Sequence, residues 1–242
     1  VPQISSIVKK MVKPTKSEKQ AEYKLEYFST SVQPTPEISI LEAKKEVLEM
    51  SDRANELFTL FHESFLNNKI ISTSIDKARN LETLTDQMQE EISNYLAECT
   101  KHELSVESSK SASNMIRIIN EQESIGDSIL NLFFILEKIE KDTFTKEMKD
   151  QILDLYNNVN EFLQWNYLFL SENLKPMSSN ELNKSIDYEN KIDNIRNDLI
   201  YLSSKRLSKN SNIKSELLFI DMTKHLEHIG DFCLNISQAL ER

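Results

Sequence analysis

The sequence predicts an all-α protein built as two tandem antiparallel three-helix bundles, preceded by a proline-containing linker. Three observations predict this. The 242 residues include only two glycines and five prolines, too few for the many turns of a β-rich fold. Apolar residues recur at helical spacing from Glu37 to the end of the chain. The chain also repeats itself: Glu123-Ser124-Ile125-Gly126-Asp127, followed by Leu130-Asn131, returns 104 residues later as Glu227-His228-Ile229-Gly230-Asp231, followed by Leu234-Asn235. Both glycines lie inside these pentapeptides, among helix formers. Glycine within a helix costs about 1 kcal/mol relative to alanine. Its use at both positions, each time between a Glu and an Asp, predicts close approach by a neighbouring helix or an ion cluster.

Residues 1–36 form a linker or juxtamembrane segment and contain Pro2, Pro14, Pro34 and Pro36. Proline fixes its own φ and biases its predecessor away from the helix, so residues 29–36 read as extended chain. Ile4, Ile7, Val8, Met11 and Val12 ahead of them have the spacing of a short amphipathic helix. The first bundle, 37–141, holds helices over about 37–66, 74–100 and 107–140. The first of these carries Leu41, Leu48, Leu57, Phe58, Phe61 and Phe65 as its apolar stripe. Asn67-Asn68-Lys69 and a polar stretch at 101–105 separate the three. The second bundle, 142–242, repeats the pattern with helices over about 145–173, 179–207 and 215–240. Pro176 stops the first, Ser178-Ser179-Asn180 offers N-caps to the second, and residues 208–212 are a loop by composition. Long helices with short connections fold back as antiparallel neighbours. All three helix pairs show the duplication: Asn55-Glu56 matches Asn160-Glu161 at 105, Glu82 and Asp86 match Glu189 and Asp193 at 107, and the third pair matches at 104.

The totals exclude several functions. A net charge of −10 argues against a nucleic-acid partner, whose phosphates are held by Lys and Arg. Cys99 and Cys233 make neither a metal cluster nor a disulfide framework and read as two reduced, packed thiols. No apolar run is long enough to cross a membrane. The chain starts on Val1 rather than methionine, which predicts a fragment or a processed product. There is no glycine-rich phosphate loop and no nucleophile motif, so the chain is not expected to be an enzyme.

The chemistry is concentrated in carboxylates. Glu82/Asp86, Glu123/Asp127, Glu189/Asp193 and Glu227/Asp231 are four Glu-x-x-x-Asp pairs, and spacing of four puts both acids on one helix face. Ile116 and Ile220 precede, and Leu130 and Leu234 follow, the motif glutamates of the third helices by two turns, so these acids share a stripe with core residues. In each hairpin the two pairs lie equally far from the turn, which predicts four carboxylates at one level on inward faces. Such a group must be protonated, hydrated or neutralised by a cation. Hard oxygen ligands suit iron, manganese or magnesium, with calcium and zinc as alternatives. Asn55, Glu56, Asn160 and Glu161 reach the same heights and are additional candidate ligands. His225 and His228 flank Glu227 and point away from it; His228 reads first as a surface histidine, with the rim of the site within its reach. Trp165, with Phe162, Tyr167 and Phe169 around it, reads as bundle core.

At these residues the chain resembles the PhoU domain family. Leu226 through Asp231 looks like that family's motif, as does Glu123 through Asp127, and the likeness extends over about 37–242. It implies two tandem three-helix bundles whose acidic motifs bind multinuclear clusters of iron or zinc. The stretch from Val1-Pro2-Gln3-Ile4 to Pro36-Glu37 resembles the junction in bacterial sodium/phosphate (type II) cotransporters, where a PhoU-like domain follows the membrane part. That implies a regulatory domain on the cytoplasmic side of the inner membrane, itself soluble, with the transmembrane transporter domain of the same polypeptide as partner. One departure stands out: family members often carry an acid two positions before the motif Glu, as Glu121 does, whereas His225 occupies that place in the second half. The alternatives are a free-standing PhoU-type regulator of phosphate uptake and signalling, a metal-dependent phosphoester hydrolase, and a helical scaffold with acidic grooves. A homo-oligomer is compatible with all of them.

Overall fold

The structure, a computed structural model, describes residues 35–67, 71–101, 104–140, 143–209 and 211–241. Of the expected linker over residues 1–36, residues 1–34 with the proposed short helix lie outside them, and Pro36, expected as extended chain, already opens the first helix. Six helices follow one another: α1 (Pro36–Leu66), α2 (Ile71–Cys99), α3 (Val106–Lys138), α4 (Lys146–Ser171), α5 (Ser179–Leu207) and α6 (Ile213–Ala239). No strand occurs among the described residues; Met177 and Glu241 make an isolated bridge.

The helix starts follow local chemistry. Pro36 occupies the first turn of α1, where its missing N–H would be unpaired anyway. Ser105, Thr145 and Asn212 each accept a backbone N–H in the first turn of α3, α4 and α6. Ser178 and Glu181 form a reciprocal capping box at the start of α5. At the end of α4, Asn173 and Leu174 take the left-handed conformation, with φ of 62° and 55°. This is costly for leucine; here its side chain is buried and the Lys175 N–H closes the turn onto the Phe169 carbonyl at 2.9 Å.

α1, α2 and α3 pack together, and α4, α5 and α6 do likewise. The two sets share one continuous core that runs from Ile40 to Leu240. The most extensive packing in the molecule joins α3 to α6 across the two sets. These helices run antiparallel: Lys214 Nζ, at the start of α6, lies 2.8 Å from Glu140 Oε1, beyond the end of α3. Asn235 Nδ2, in the last turns of α6, donates to Glu121 Oε2 at 3.0 Å. A second contact joins α1 to α4, where Tyr156 stacks on Phe58 at 4.4 Å and on His62 at 4.5 Å.

The apolar stripe expected on α1 is right from Leu57 onward, where Leu57, Phe58, Phe61 and Phe65 are buried. At its start the expectation is off by one helix face. Leu41 is 47% exposed, and Ile40, Ala43, Val47 and Met50 point inward instead. Cys99 and Cys233 are free and buried, as the sequence suggests. Phe162 and Phe169 are core, Trp165 is partly buried with Lys184 Nζ 3.9 Å from its ring centre, and Tyr167 lies against Asp52 of α1.

Candidate functional site

The motif glycines sit where a second helix comes close. A Cβ on Gly126 would lie 3.1 Å from Thr85 Oγ1 of α2. A Cβ on Gly230 would lie 3.1 Å from Ile192 Cδ1 and 3.2 Å from Ile192 Cγ2 of α5. Of the two alternatives open from sequence, the neighbouring helix is the one that takes the space. Thr85 and Ile192 are both fully buried and are matched in the repeat at offset 107. Each glycine therefore brings the middle helix of its set against the third helix beside the acidic pairs.

In the first set this closeness gathers the acids of α2 and α3. Oxygens of Glu82, Asp86 and Asp127 all lie within 4.8 Å of one another. Oxygen ligands at about 2.0–2.6 Å from a single ion can be no more than roughly 5 Å apart, so this set matches a hard cation in both chemistry and spacing. Burial, then the charges of Asp86 and Asp127, push the Glu82 carboxyl up to about 7. Burial, then the same kind of repulsion, raises Asp86 and Glu123 above their ordinary values. Glu123 thus lies within the field of Asp86 and Asp127. Hydroxyls stand at the rim: Ser124 Oγ donates to Glu123 Oε2 at 3.3 Å and Thr83 Oγ1 to Glu82 Oε2 at 3.4 Å. The setting is more open than the inward-facing cluster expected from sequence, because Asp86 and Asp127 are exposed and Glu82 is half-buried. The acids line a groove along the α2–α3 seam. They share their helices with core residues but stand at the edge of that stripe.

The second set brings its four acids into one another's field with a different complement around them, without three of them at single-ion distance. Glu227 is 7% exposed, and burial, then Asp231, pushes its carboxyl up to about 7, with Arg196 pulling it down and Asp193 adding to the rise. Glu189 is raised by burial and then by Asp193 and Asp231. Asp231 is raised by burial and by Asp193, against the pull of His228 and Arg196. Glu227 Oε2 is buried and has no hydrogen-bond partner. Two basic side chains stand near: the Arg196 guanidinium, with Nη2 3.6 Å from Glu227 Oε1, and the His228 imidazole, with Nε2 3.7 Å from Glu227 Oε2. His228, read from sequence first as a surface histidine able to reach the rim, is half-exposed and stands beside the motif glutamate. Arg196 was missed in sequence; its spacing of three from Asp193 places it on the same helix face and could have revealed it.

The additional candidates are engaged elsewhere. Glu56 Oε1 pairs with Lys77 Nζ at 2.9 Å and Oε2 with Arg53 at 3.3 Å, and the Lys77 hydrogen bond is the chief cause of its lowered pKa. Asn55 accepts from Gln164 Nε2 at 3.1 Å across the α1–α4 contact. Glu161 is exposed and Asn160 half-buried, and neither belongs to a gathered acidic set among the described residues. Glu121, the acid two positions before the motif Glu, accepts from Asn235 of α6 at 3.0 Å.

With this geometry in hand, the chain can be compared with known proteins. The PhoU domain model matches it twice, over residues 47–133 and 145–240, one copy per set of three helices. The chain belongs to the PhoU family. The crystal structure of the phosphate transport system regulatory protein PhoU from Streptococcus pneumoniae superposes with a TM-score of 0.73 at 14% identity, covering 85% of this chain and 94% of that one. At that identity the likeness shows the fold alone. No curated protein matches the sequence. The PhoU assignment accounts for the duplication, the six-helix order and the matched acidic pairs. None of the described helices is long and apolar enough to cross a membrane.

Proposed function

We propose that this PhoU-family chain is a regulatory domain of phosphate uptake that acts through protein contacts, with metal ions held at its paired Glu-x-x-x-Asp motifs. The observation that carries the metal part is the set of oxygens from Glu82, Asp86 and Asp127 within 4.8 Å, supported by the buried, unpartnered Glu227 Oε2 in the second set. In the first set Glu82, Asp86 and Asp127, with Glu123 beside them, would hold the ion. In the second, Glu189, Asp193, Glu227 and Asp231 would do so. A hard divalent or trivalent cation, such as iron, manganese or magnesium, or zinc as a borderline case, would neutralise carboxylates that otherwise repel. Bound there, it would cross-link α2 to α3 and α5 to α6.

Two settings for the domain follow. In one it is the cytoplasmic part of a sodium-dependent phosphate transporter, carried after the membrane domain of the same polypeptide at the inner membrane; the proline-bearing 1–36 segment favours this. In the other it is a free-standing regulator; a solved PhoU covered over 94% of its length favours that. The gene upstream of Val1 separates the two, since membrane helices there are required by the first and excluded by the second. The regulatory role is tested in cells lacking the domain, by radiolabelled phosphate uptake across phosphate-replete and phosphate-starved growth. Uptake that no longer responds to supply is expected; an unchanged response ends the proposal. The metal part is tested by elemental analysis of the purified chain against Asp86→Asn with Asp127→Asn and against Glu227→Gln with Asp231→Asn. Metal content should fall with each pair, and a wild type without bound metal would refute it.

A further inference from the structure

The two acidic grooves are not equivalent, and the difference lies in two positions. Where the second set has Arg196, the repeat offset of 107 places Gln89 in the first. Where the second has His228, the offset of 104 places Ser124. Gln89 is neutral and turned to Asn120, to which its Nε2 donates at 2.8 Å. Ser124 contributes only a hydroxyl, at 3.3 Å from Glu123 Oε2. By contrast Arg196 Nη2 stands 3.6 Å from Glu227 Oε1, and His228 Nε2 stands 3.7 Å from the other oxygen. Among the described residues, three carboxylates gathered within single-ion distance occur in the first groove alone.

The buried Glu227 Oε2 has no hydrogen-bond partner and faces the His228 imidazole at 3.7 Å, so the second groove has room for a cation beside that oxygen. The Arg196 guanidinium already supplies part of that positive charge: Nη1 donates to Asn197 Oδ1 at 2.8 Å, which anchors the group, while its contact with Glu227 is an ion pair at 3.6 Å without a hydrogen bond. An arginine cannot give up its proton to make way for a metal. A metal entering the second groove must therefore displace this guanidinium or coexist with its charge, whereas the first groove presents four acids with no such cation.

Resting on the metal-binding reading above, we propose that Arg196 is a built-in competing cation that makes the second groove the weaker metal site, so that ions load the α2–α3 groove first and the α5–α6 groove second. The chain then passes through a half-loaded state over a range of metal concentration. Arg196 is a tuning residue here and not a ligand.

The test is Mn2+ binding to the purified chain, read from the free-ion signal in electron paramagnetic resonance. Wild type is expected to show a tighter class abolished by Asp86→Asn with Asp127→Asn, and a weaker class abolished by Asp193→Asn with Asp231→Asn. With the first groove blanked, Arg196→Gln should tighten the remaining class threefold or more, and adding His228→Ser should not reverse the gain. With the second groove blanked, Gln89→Arg should weaken the first by threefold or more. Changes below threefold in both arms, or a tighter class that survives loss of the first groove's acids, would overturn the proposal while leaving metal binding intact. Absence of Mn2+ binding by wild type and every variant would end both readings.

Discussion

Removing Glu216 tests how the second set of helices is held together. Glu216 lies in the first turn of α6 with a side chain 2% exposed. Arg206 Nε donates to its Oε1 at 2.8 Å and Arg206 Nη2 to its Oε2 at 3.0 Å, a bidentate pair across the α5–α6 turn. Ser203 Oγ adds a third donation at 2.6 Å. Arg206 is also packed over the Phe219 ring, at 4.8 Å. Truncation to alanine leaves a guanidinium and a hydroxyl without their acceptor. Breaking a buried pair costs about 3–5 kcal/mol. Arg206 is 22% exposed and can turn to water and to Gln151, whose Oε1 is 3.5 Å away, which places the loss at the low end. Glu216→Ala should therefore cost about 3 kcal/mol, or about 6–12 °C in Tm for a chain of this size. Urea unfolding followed by fluorescence of Trp165, the chain's one tryptophan and part of α4, reads it directly. The first set supplies the control: the offsets put Leu96, Cys99 and Ala112 where the second set has Ser203, Arg206 and Glu216. Replacing the pair wholesale with apolar groups, as in Ser203→Leu with Arg206→Met and Glu216→Ala, should recover stability to within about 1 kcal/mol of wild type. Burial alone would raise the Glu216 carboxyl, but the hydrogen bonds from Arg206 and Ser203 and the Arg206 charge outweigh it and hold it below its ordinary value. Its contribution is thus complete above the ordinary carboxylate pKa and disappears as pH falls through the lowered one. A loss under 1 kcal/mol at neutral pH, or a triple variant no better than the single, would refute this account of the turn.

The acidic grooves predict the opposite pH dependence. The metal-free folded chain holds protons on Glu82 and Glu227 up to about 7, so their contribution is largest below the ordinary carboxylate value and is lost as pH rises through 7. Tm of chelator-treated protein should fall between pH 5 and pH 8 beyond any trend shared with a Glu82→Gln, Glu227→Gln double variant, and an equal slope in both proteins would contradict this. The glycine contacts predict a ranking. At Gly230 a methyl meets the branched, buried Ile192 at two atoms, whereas at Gly126 it meets only the Thr85 hydroxyl. Helix propensity returns about 1 kcal/mol in each case against an overpacking cost of about 1–3 kcal/mol. Gly230→Ala should therefore be the more destabilising in chemical denaturation, by roughly 1 kcal/mol, and the reverse order would show that the α5–α6 seam yields more easily than its packing suggests.

The helices and the duplication were legible because both rest on periodicities along the chain. Two glycines at matched places among helix formers also foretold the close seams. What sequence could not give was the rotation of each helix about its axis to within one face. That uncertainty turned Leu41 outward, set Asp86 and Asp127 at the surface, and sent Asn55 to Gln164 and Glu56 to Lys77. An α-helix advances about 100° per residue, so neighbours in sequence such as Glu121 and Glu123 face different partners. Arg196 was overlooked for a related reason: with 29 basic residues in the chain, a spacing of three from Asp193 is a weak signal for one arginine until the two repeats are aligned.

The antiparallel pairing of α3 with α6 has a geometric consequence. Each of these helices carries an acidic groove on one flank and the joint between the halves on another. A ligand held between α2 and α3 therefore sits one helix away from α6. The α3–α6 seam is thus the shortest packed route between the two acidic regions.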